Sequence, residues 1–339
     1  MPSRHLPVLD GWRGCAILLV LVGHFATSRG INLGRFGVEF FFVLSGRLMA
    51  EILFVRATPL TTFFVRRASR IYPALICFVL AMSILALVTG HYRQLYGCLA
   101  AVTLTYNYYH LWFDEVPNVD HIWSLCVEEH SYILLGVIAL LWHRFGFPLL
   151  SVLAVLAALA CLDGLVSTLI GGTYTQVYWR SDVRSASILL GAVAHLKFGR
   201  SDPTSDRPSW QPAFLLLAGL ALNVNAVPDP IKYSFGTALL AGAVASLPRA
   251  PAALRDGLTS TPLLLFGAWS YAIYLWQQPF YVLHDAMGDW VSAALVLPAI
   301  ALGMASLLLI ERPMRDYLNR LFDRAAGRGG TAVKSFATS

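Results

Sequence analysis

Apolar segments long enough to cross a lipid bilayer recur along almost the whole sequence. A transmembrane helix needs about 20 consecutive, mainly apolar residues. This criterion predicts eleven candidate spans, at 11–28, 36–55, 71–89, 95–113, 122–142, 147–170, 185–198, 211–227, 231–247, 262–285 and 289–310. The intervening segments are too short for a separate soluble domain. The pattern therefore predicts an all-α polytopic membrane protein, with one membrane domain over 1–324 and a flexible cytoplasmic tail over 325–339.

Arginine residues near the predicted spans indicate the topology. Short cytoplasmic loops carry an excess of lysine and arginine. Two basic segments stand out, one with Arg56, Arg66, Arg67 and Arg70, and one with Arg312, Arg315, Arg320, Arg324 and Arg328. Nine crossings between these segments would place them on opposite sides of the membrane. One candidate span is therefore expected not to cross.

We expect the candidate 95–113 to be the one that does not cross. Its second half, from Thr103 to Trp112, is too polar and aromatic for exposure to lipid and suits a re-entrant or cavity-lining segment. Without it, the pattern predicts about ten transmembrane helices and both termini in the cytoplasm. The short candidate 185–198 is the alternative.

The composition supports the membrane assignment. Of 339 residues, 57% are hydrophobic and 13% are charged, and the mean hydropathy is +0.62, well above the range of soluble domains. The net charge of +6 comes from basic residues at helix ends and in the tail. It is a topology signal and does not indicate nucleic-acid binding. The five cysteines have no metal-ligand spacing, and the sequence predicts no metal site.

The first predicted span carries Arg13 and His24, and a third ionisable residue, Asp10, directly precedes it. Such residues within a bilayer are costly unless they have a partner or a function. Arg13 and His24 are separated by almost three helical turns, so both project from one face, about 16 Å apart along the axis. The imidazole of His24 can accept a proton from an attacking hydroxyl group, since histidine titrates near neutral pH. The alternative is a histidine that hydrogen-bonds across a helix interface.

The second predicted span contains Glu39, Ser45, Arg47 and Glu51. Arg47 and Glu51 are four residues apart and can neutralise each other on one helix face, which would explain both charges without a site. Ser45 is followed by Gly46, a pair that permits close helix packing. Glu39 is equally consistent with a satisfied interfacial carboxylate and with a site residue.

Three arginines, Arg66, Arg67 and Arg70, precede the third predicted span. Arg67 and Arg70 are three residues apart, so on a helical turn their guanidinium groups point the same way. Paired guanidinium groups bind phosphate or diphosphate well. Retention of a cytoplasmic loop, or contact with lipid headgroups, is the alternative explanation.

The fifth predicted span begins near Trp123 and carries two adjacent carboxylates, Glu128 and Glu129. Adjacent residues lie about 100° apart around a helix, so the two face different directions. Glu128 aligns with Tyr132. We expect one carboxylate in a site and the other paired or near the membrane interface. A buried glutamate can orient a histidine or bind sugar hydroxyl groups, and hydrogen bonding between helices is the alternative.

The tenth predicted span places Tyr271, Tyr274 and Gln278 on one stripe, next to Trp276 and Gln277. Hydroxyl and amide groups in such a row can line a path for a hydroxylated ligand. Aromatic rows more often belong to a protein core or to the aromatic belt at a membrane interface.

Taken in order, these segments resemble the acyltransferase 3 family of integral membrane acyltransferases. The resemblance covers residues 9–313. Its motifs are Leu9-Asp-Gly-Trp-Arg13 with His24, Gly37-Val-Glu39-Phe-Phe-Phe-Val-Leu-Ser-Gly46, Arg67-Ala-Ser-Arg70-Ile-Tyr-Pro, Trp123-Ser-Leu-Cys-Val-Glu128-Glu129, Ser270-Tyr-Ala-Ile-Tyr-Leu-Trp276 and Glu311-Arg-Pro. Each motif alone is weakly specific, whereas the ordered set is strong.

The resemblance implies transfer of an acyl group, commonly acetyl from acetyl-CoA, to a hydroxyl group of a carbohydrate or glycosylated acceptor. The implied location is a bacterial cytoplasmic membrane, and the implied partners are acyl-CoA, the acceptor and the bilayer. Pattern and resemblance together give as candidates catalytic His24, Arg13, Glu128 and Asp10, donor-binding Arg67, Arg70 and Arg66, and substrate-binding Glu39, Arg47, Ser45, Trp123, Glu129, Tyr271, Tyr274 and Gln277. His24 would act either as a general base or as a transient acyl carrier.

Two positions depart from the family pattern. Gln277 stands where the family typically has a histidine, so a role of that histidine does not carry over. Arg47 stands where an apolar residue usually follows Ser-Gly, which would suit an acidic donor or acceptor.

Two other functions fit the same pattern. One is a transporter or flippase for a lipid-linked saccharide, although the sequence has no recognisable internal repeat. The other is a non-catalytic subunit of an envelope-assembly complex, an interpretation that Gln277 favours.

Overall fold

The computed structural model describes residues 6–26, 30–199, 208–287 and 292–327. Over these ranges the chain is helical and contains no β-strand. In chain order the helices are α1 (Pro7–Phe25), α2 (Leu33–Ala50), α3 (Leu60–Val88), α4 (Gln94–Val102), α5 (Tyr106–Trp112), α6 (Ile122–Phe145), α7 (Leu149–Leu169), α8 (Tyr174–Tyr178), α9 (Ser181–Phe198), α10 (Gln211–Leu222), α11 (Asp229–Ile231), α12 (Thr237–Ser246), α13 (Ala252–Leu258), α14 (Thr261–Met287), α15 (Ser292–Ser306) and α16 (Arg312–Ala325). π-Helical turns lie at Glu51–Val55, Lys232–Gly236 and Leu307–Glu311.

Among the described residues, five helices are long and apolar enough to cross a membrane. They are Pro7–Phe25, Leu60–Val88, Ile122–Phe145, Leu149–Leu169 and Ala294–Ala325. The helices Asp229–Arg249 and Ala252–Leu258, bent by 106° at their junction, make a sixth if they are counted as one broken span. The chain is an integral membrane protein of α-helices, as predicted, but the predicted count of about ten spans and the cytoplasmic termini are not confirmed. Most of the predicted tail, from residue 328 onwards, lies outside the described residues.

Buried polar residues explain much of the difference in span count. α2 contains Arg35, Glu39 and Arg47, and α9 contains Arg184 and a buried histidine, His195. These charges reduce the mean hydropathy of both helices, although most of their residues are buried against other helices. Such residues are tolerated because neighbouring helices satisfy them.

The candidate span 95–113 is broken into α4, of nine residues, and α5, of seven. Neither helix is long enough to cross a bilayer. The break contains Leu104, whose φ of 58° lies in the left-handed region. The alternative candidate, 185–198, forms most of α9, a helix of 18 residues.

The chain divides into two compact units. The first unit consists of Met1–Ala57 and Ser124–Gly267. In it, α2 packs against α1, α9 and α12, and α9 also packs against α7. Close backbone contacts make this packing possible: a Cβ atom at Gly46 would lie 1.9 Å from the carbonyl oxygen of Ile188. Glycine is therefore required where α2 crosses α9.

The second unit consists of Thr58–Trp123 and Ala268–Ser339. In it, α3 packs against α4 and α16. Its core includes Phe78, which makes edge-to-face contacts with His121 and Trp276 at ring-centroid distances of 5.4 and 5.3 Å. Helix α3 begins at Leu60, before the predicted start at residue 71, so the arginine motif is helical and not part of a loop.

Candidate active site

Helix α1 runs without interruption from Pro7 to Phe25 and carries both Arg13 and His24. Pro7 occupies the first turn, where a missing N–H leaves no helical bond unmade. Asp10 in the same turn complements the positive end of the helix dipole. The guanidinium of Arg13 donates to the carboxylate of Asp10, with 3.3 Å between Nη1 and Oδ1. The two charges therefore compensate each other within α1.

His24 lies at the other end of α1, where this helix meets α2. The two backbones are so close that a Cβ atom at Gly23 would lie 2.0 Å from the nitrogen of Gly34. A Cβ atom at Gly34 would lie 3.3 Å from Nε2 of His24. The half-buried imidazole thus lies directly against Gly34, and a side chain at that position would push it away.

Gly34 belongs to the first turn of α2, which begins at Leu33. The side chain of Asn32 caps this turn by accepting a hydrogen bond from the Arg35 N–H at 2.9 Å. First-turn N–H groups have no acceptor within their own helix and carry the positive end of its dipole. His24 therefore lies against the first turn of α2, at the positive end of that helix dipole.

Glu128 on α6 accepts hydrogen bonds from two hydroxyl groups. Ser45 of α2 donates to Oε1 with an O–O distance of 2.5 Å. Tyr132, one turn further along α6, donates to the same oxygen. Glu129 is half-buried. Ser45 and Tyr132 thus fix the orientation of the Glu128 carboxylate.

Glu39 is fully buried and forms an ion pair with Arg184 of α9. Its Oε2 atom also accepts hydrogen bonds from Ser187, at 3.1 Å, and from Thr237, at 2.6 Å. The guanidinium of Arg184 lies 4.0 Å from the ring centroid of Tyr233. The carboxylate thereby joins α2, α9 and α12.

The hydrogen bonds and ion pairs of Arg47 and Glu51 are made with groups on other residues. Arg47 is buried, and its Nη1 atom donates to the carbonyl oxygens of Val244, at 2.8 Å, and Ala245, at 3.3 Å. The carboxylate of Glu51 pairs with Arg56 and with His195, both at 3.0 Å. The direct hydrogen bonds of Arg47 and Glu51 thus go to other groups, while the Glu51 carboxylate still interacts electrostatically with Arg47.

In the second unit, the arginine motif lies on α3. Arg66 makes two hydrogen bonds to the carboxylate of Asp323 on α16, at 2.7 and 3.0 Å. Arg67 and Arg70 are half-buried. Between them Ser69 donates to the side chain of Asn319 at 2.9 Å. Arg66 and Ser69 thus attach α3 to α16.

Glu311 lies in the last π-helical turn, next to these arginines. Its side chain is 3% exposed. Arg70, Arg312 and Arg315 are close enough to interact with its carboxylate electrostatically. The motif Glu311-Arg-Pro therefore contributes a buried negative charge to the same basic region as Arg70.

The polar residues of α14 make hydrogen bonds within the second unit. The hydroxyl groups of Tyr271 and Tyr274 donate to the carbonyl oxygens of Ile71, at 2.9 Å, and His121, at 2.8 Å. Gln277 is fully buried, and its amide nitrogen lies 3.3 Å from Oε1 of Gln278. Trp123 is 8% exposed. These bonds account for much of the polar character of α14.

The predicted site residues fall into two sets. The first unit holds Asp10, Arg13, His24, Glu39, Ser45, Arg47, Glu128 and Glu129, and the second holds Arg66, Arg67, Arg70, Trp123, Tyr271, Tyr274 and Gln277. No group of three or more metal-ligating side chains is found in the described part of the chain. The sequence reasoning missed Arg184, because this residue directly precedes the predicted span 185–198 and lies close to Arg180 and Asp182, so no pattern there indicated a buried charge.

These helices, whose buried polar side chains bond to one another within each unit, define an integral membrane protein of α-helices. The profile of the acyltransferase 3 family, described as an acyltransferase domain, matches residues 6–314. The chain belongs to this family.

Three relatives illustrate what the chain is similar to. "O-acetyltransferase OatA" of Staphylococcus aureus (strain NCTC 8325 / PS 47) is 26% identical over 347 residues, covering 92% of this chain and 57% of the relative. "Putative peptidoglycan O-acetyltransferase YrhL" of Bacillus subtilis (strain 168) is 28% identical over 368 residues, covering 95% and 56%. "Peptidoglycan O-acetyltransferase OatA" of Listeria monocytogenes is 26% identical over 354 residues, covering 92% and 56%. The chain thus spans somewhat more than half the length of these relatives. No solved structure matches it significantly.

Proposed function

We propose that this protein is a membrane-bound O-acyltransferase that moves an acetyl group from acetyl-CoA, or an acyl group from another acyl-CoA, to a hydroxyl group of a carbohydrate or glycosylated acceptor. Three findings support the proposal: the family profile, which covers residues 6–314, the names of the relatives as O-acetyltransferases, two of them for peptidoglycan, and the apolar helices. We place the protein in the bacterial cytoplasmic membrane.

The observation that carries the mechanism is the contact between His24 and the first turn of α2. In our scheme the imidazole removes the proton of the acceptor hydroxyl, whose oxygen attacks the thioester carbonyl. Amide groups at the start of α2 stabilise the resulting oxyanion. The C–S bond then breaks, and the imidazolium returns its proton to the coenzyme A thiolate. In the variant scheme, His24 itself carries the acyl group before the acceptor arrives.

We assign supporting roles to the other polar residues of the first unit. Arg13, compensated by Asp10, contributes positive charge on the same helix as His24. Glu128, fixed by Ser45 and Tyr132, orients either the imidazole or the acceptor. Glu129 remains a candidate for acceptor binding. Glu39 and Arg47 bond to groups of neighbouring helices, so their roles in this scheme are mainly structural. Contact with the substrate remains part of the proposal for both residues.

We assign the phosphates of the donor to Arg67 and Arg70. Both guanidinium groups lie on one helix, three residues apart, and can bind a diphosphate together. Arg66 is the third candidate for donor binding, and its guanidinium also donates two hydrogen bonds to Asp323. Trp123, Tyr271, Tyr274 and Gln277 remain proposed contacts of the substrate.

The role of His24 can be tested with the purified protein in lipid nanodiscs. Radiolabelled acetyl-CoA and a β-1,4-linked N-acetylglucosamine tetrasaccharide are supplied, and both released coenzyme A and acetylated glycan are measured. We expect His24→Ala to lose transfer by at least about a hundredfold while it still binds acetyl-CoA. His143→Ala is the matched control, because this histidine is bonded to the carbonyl of Ala139, at 2.7 Å, near the end of α6. Normal transfer by His24→Ala would refute the scheme, and saccharide movement without coenzyme A release would support a transporter.

The donor assignment has a separate test. We expect Arg67→Ala to raise the KM for acetyl-CoA about tenfold or more, because a charge-assisted hydrogen bond to phosphate is lost. Arg255→Ala, a change at an exposed arginine of α13, is the control for altered net charge. If both variants raise the KM equally, the effect is general electrostatics and Arg67 does not bind the donor.

A further inference from the structure

A cavity of about 610 Å³ lies within the second unit, along α4 and α5. Its size is typical of sites that bind small molecules or parts of larger ligands. Both ends of the α4–α5 segment contribute to it, since Arg93 precedes α4 and Asp114 follows α5. The start and the end of this segment therefore line the same cavity, together with Thr103 and Thr105 of the turn between the helices.

Aromatic side chains form one wall of this cavity. Tyr109 and Phe113 are stacked, with ring centroids 5.4 Å apart and an angle of 26° between the planes. Phe113 is 71% exposed and Tyr96, also in the lining, is 68% exposed. These rings offer flat apolar surface that helix packing leaves free. The C–H face of a pyranose ring has the matching shape and polarity.

Besides Leu99 and Ala100, the remaining lining is polar and carries both signs of charge. Arg93 supplies donors and Asp114 supplies acceptors, whereas the hydroxyl groups of Thr103 and Thr105 bond to each other at 3.0 Å and to backbone carbonyls of α4. Sugar hydroxyl groups also donate and accept, so an uncharged sugar fits this lining better than an anion or a cation does. The acidic residues Asp114 and Glu115 also disfavour an anionic lipid headgroup at the mouth.

Hydrogen bonds between residues outside the lining hold the cavity in shape. The hydroxyl of Tyr106 accepts a hydrogen bond from the Val116 N–H at 3.0 Å and donates to Asp120. Burial, together with the nearby Asp120 carboxylate, raises the pKa of Tyr106, so its hydroxyl stays protonated and remains a donor. The left-handed conformation of Leu104 fixes the turn between the helices. A ligand would therefore meet a site that is already formed.

We propose that this cavity binds a pyranose ring of the acceptor glycan, with the ring stacked on Tyr109 and Phe113 and its hydroxyl groups bonded to Arg93 and Asp114. The inference rests on the proposed function, since it assigns a subsite to the acceptor of that reaction. It adds a sugar-binding role for the α4–α5 segment.

The test measures binding of a fluorescent β-1,4-linked N-acetylglucosamine tetrasaccharide to the full chain in nanodiscs, without donor. We expect Tyr109→Ala and Asp114→Asn each to weaken binding about tenfold, and Tyr109→Phe to retain most of the affinity. Tyr108→Ala is the matched control, because this neighbour stacks on Trp112 and lies outside the cavity lining. Thermal unfolding of each variant identifies changes that merely damage the fold.

The outcomes separate this inference from the proposed function. Equal affinity in Tyr108→Ala and Tyr109→Ala would overturn the subsite, even if His24-dependent transfer is found. If Tyr109→Ala loses glycan binding and Tyr108→Ala does not, the subsite is supported, even if the protein releases no coenzyme A. If Tyr109→Ala instead changes the affinity for phosphatidylglycerol vesicles and not for the glycan, the cavity is a lipid contact and the inference fails.

Discussion

Replacement of Glu39 by glutamine tests whether this carboxylate holds the helices of the first unit together. Glu39 is fully buried and pairs with Arg184, which is 2% exposed. A glutamine keeps an oxygen for the hydroxyl groups of Ser187 and Thr237 but removes the negative charge. The guanidinium of Arg184 would then be a buried charge that has lost the carboxylate paired with it.

The expected loss of stability follows from that uncompensated charge. Breaking a buried ion pair by removing one partner costs about 3–5 kcal/mol. The ring of Tyr233, 4.0 Å from the guanidinium carbon of Arg184, still offers a cation–π contact and favours the lower end, about 3 kcal/mol. For a unit of this size, that loss lowers the Tm by roughly 6–12 °C.

A thiol-reactive dye provides a suitable assay in detergent. Cys98 and Cys126 are 2% and 0% exposed, so they react when the protein unfolds. The double variant Glu39→Met with Arg184→Met is the control, since replacing both charges by apolar groups is often close to neutral. We expect it to regain at least half of the loss.

Two results would refute this reasoning. If Glu39→Gln has the Tm of the parent protein, then Arg184 does not depend on this carboxylate. If the stability is unchanged and the KM for the glycan rises, Glu39 contacts the acceptor, as the sequence pattern allowed.

Two further predictions concern α2. Gly46→Ala should destabilise the protein by about 1–3 kcal/mol, because the new Cβ would lie 1.9 Å from the carbonyl oxygen of Ile188. Gly257→Ala is the control, since no atom lies within 4 Å of its new Cβ. We expect it to be neutral or slightly stabilising in the same melting assay. Ser45→Ala removes a donor 2.5 Å from Glu128 and should lower kcat for acetyl transfer about tenfold; an unchanged kcat would mean that Glu128 needs no orientation by Ser45.

Much of the fold class and of the family could be predicted from the sequence because both depend on local patterns. Long apolar segments predict helices, and the uninterrupted α1 was readable from its apolar periodicity. The break within 95–113 was also readable, since polar and aromatic residues there are incompatible with lipid. The number of spans could not be predicted from the sequence. Hydropathy reports the composition of a segment, and it does not report which of its charges are neutralised by neighbouring helices.

The partners of each charge could not be predicted from spacing along a helix. Arg47 and Glu51 have the ideal separation for an ion pair, yet each bonds elsewhere, to Val244 and to His195. Those partners lie some 140 to 200 residues away in sequence. Spacing within one helix gives the possible pairs, whereas helix packing decides which of them form.

The sequence by itself determined that this chain is a helical membrane protein of the acyltransferase 3 family and that Arg13 and His24 share one helix. These conclusions depend on hydrophobic periodicity and on motif order, which need no long-range contacts. Only the tertiary structure decided that His24 lies against the glycine at the start of α2, that Glu39 is buried with Arg184, and that α4 and α5 line a cavity. Close approach between helices depends on side-chain volumes and hydrogen-bond partners from distant segments, and no local pattern contains that information.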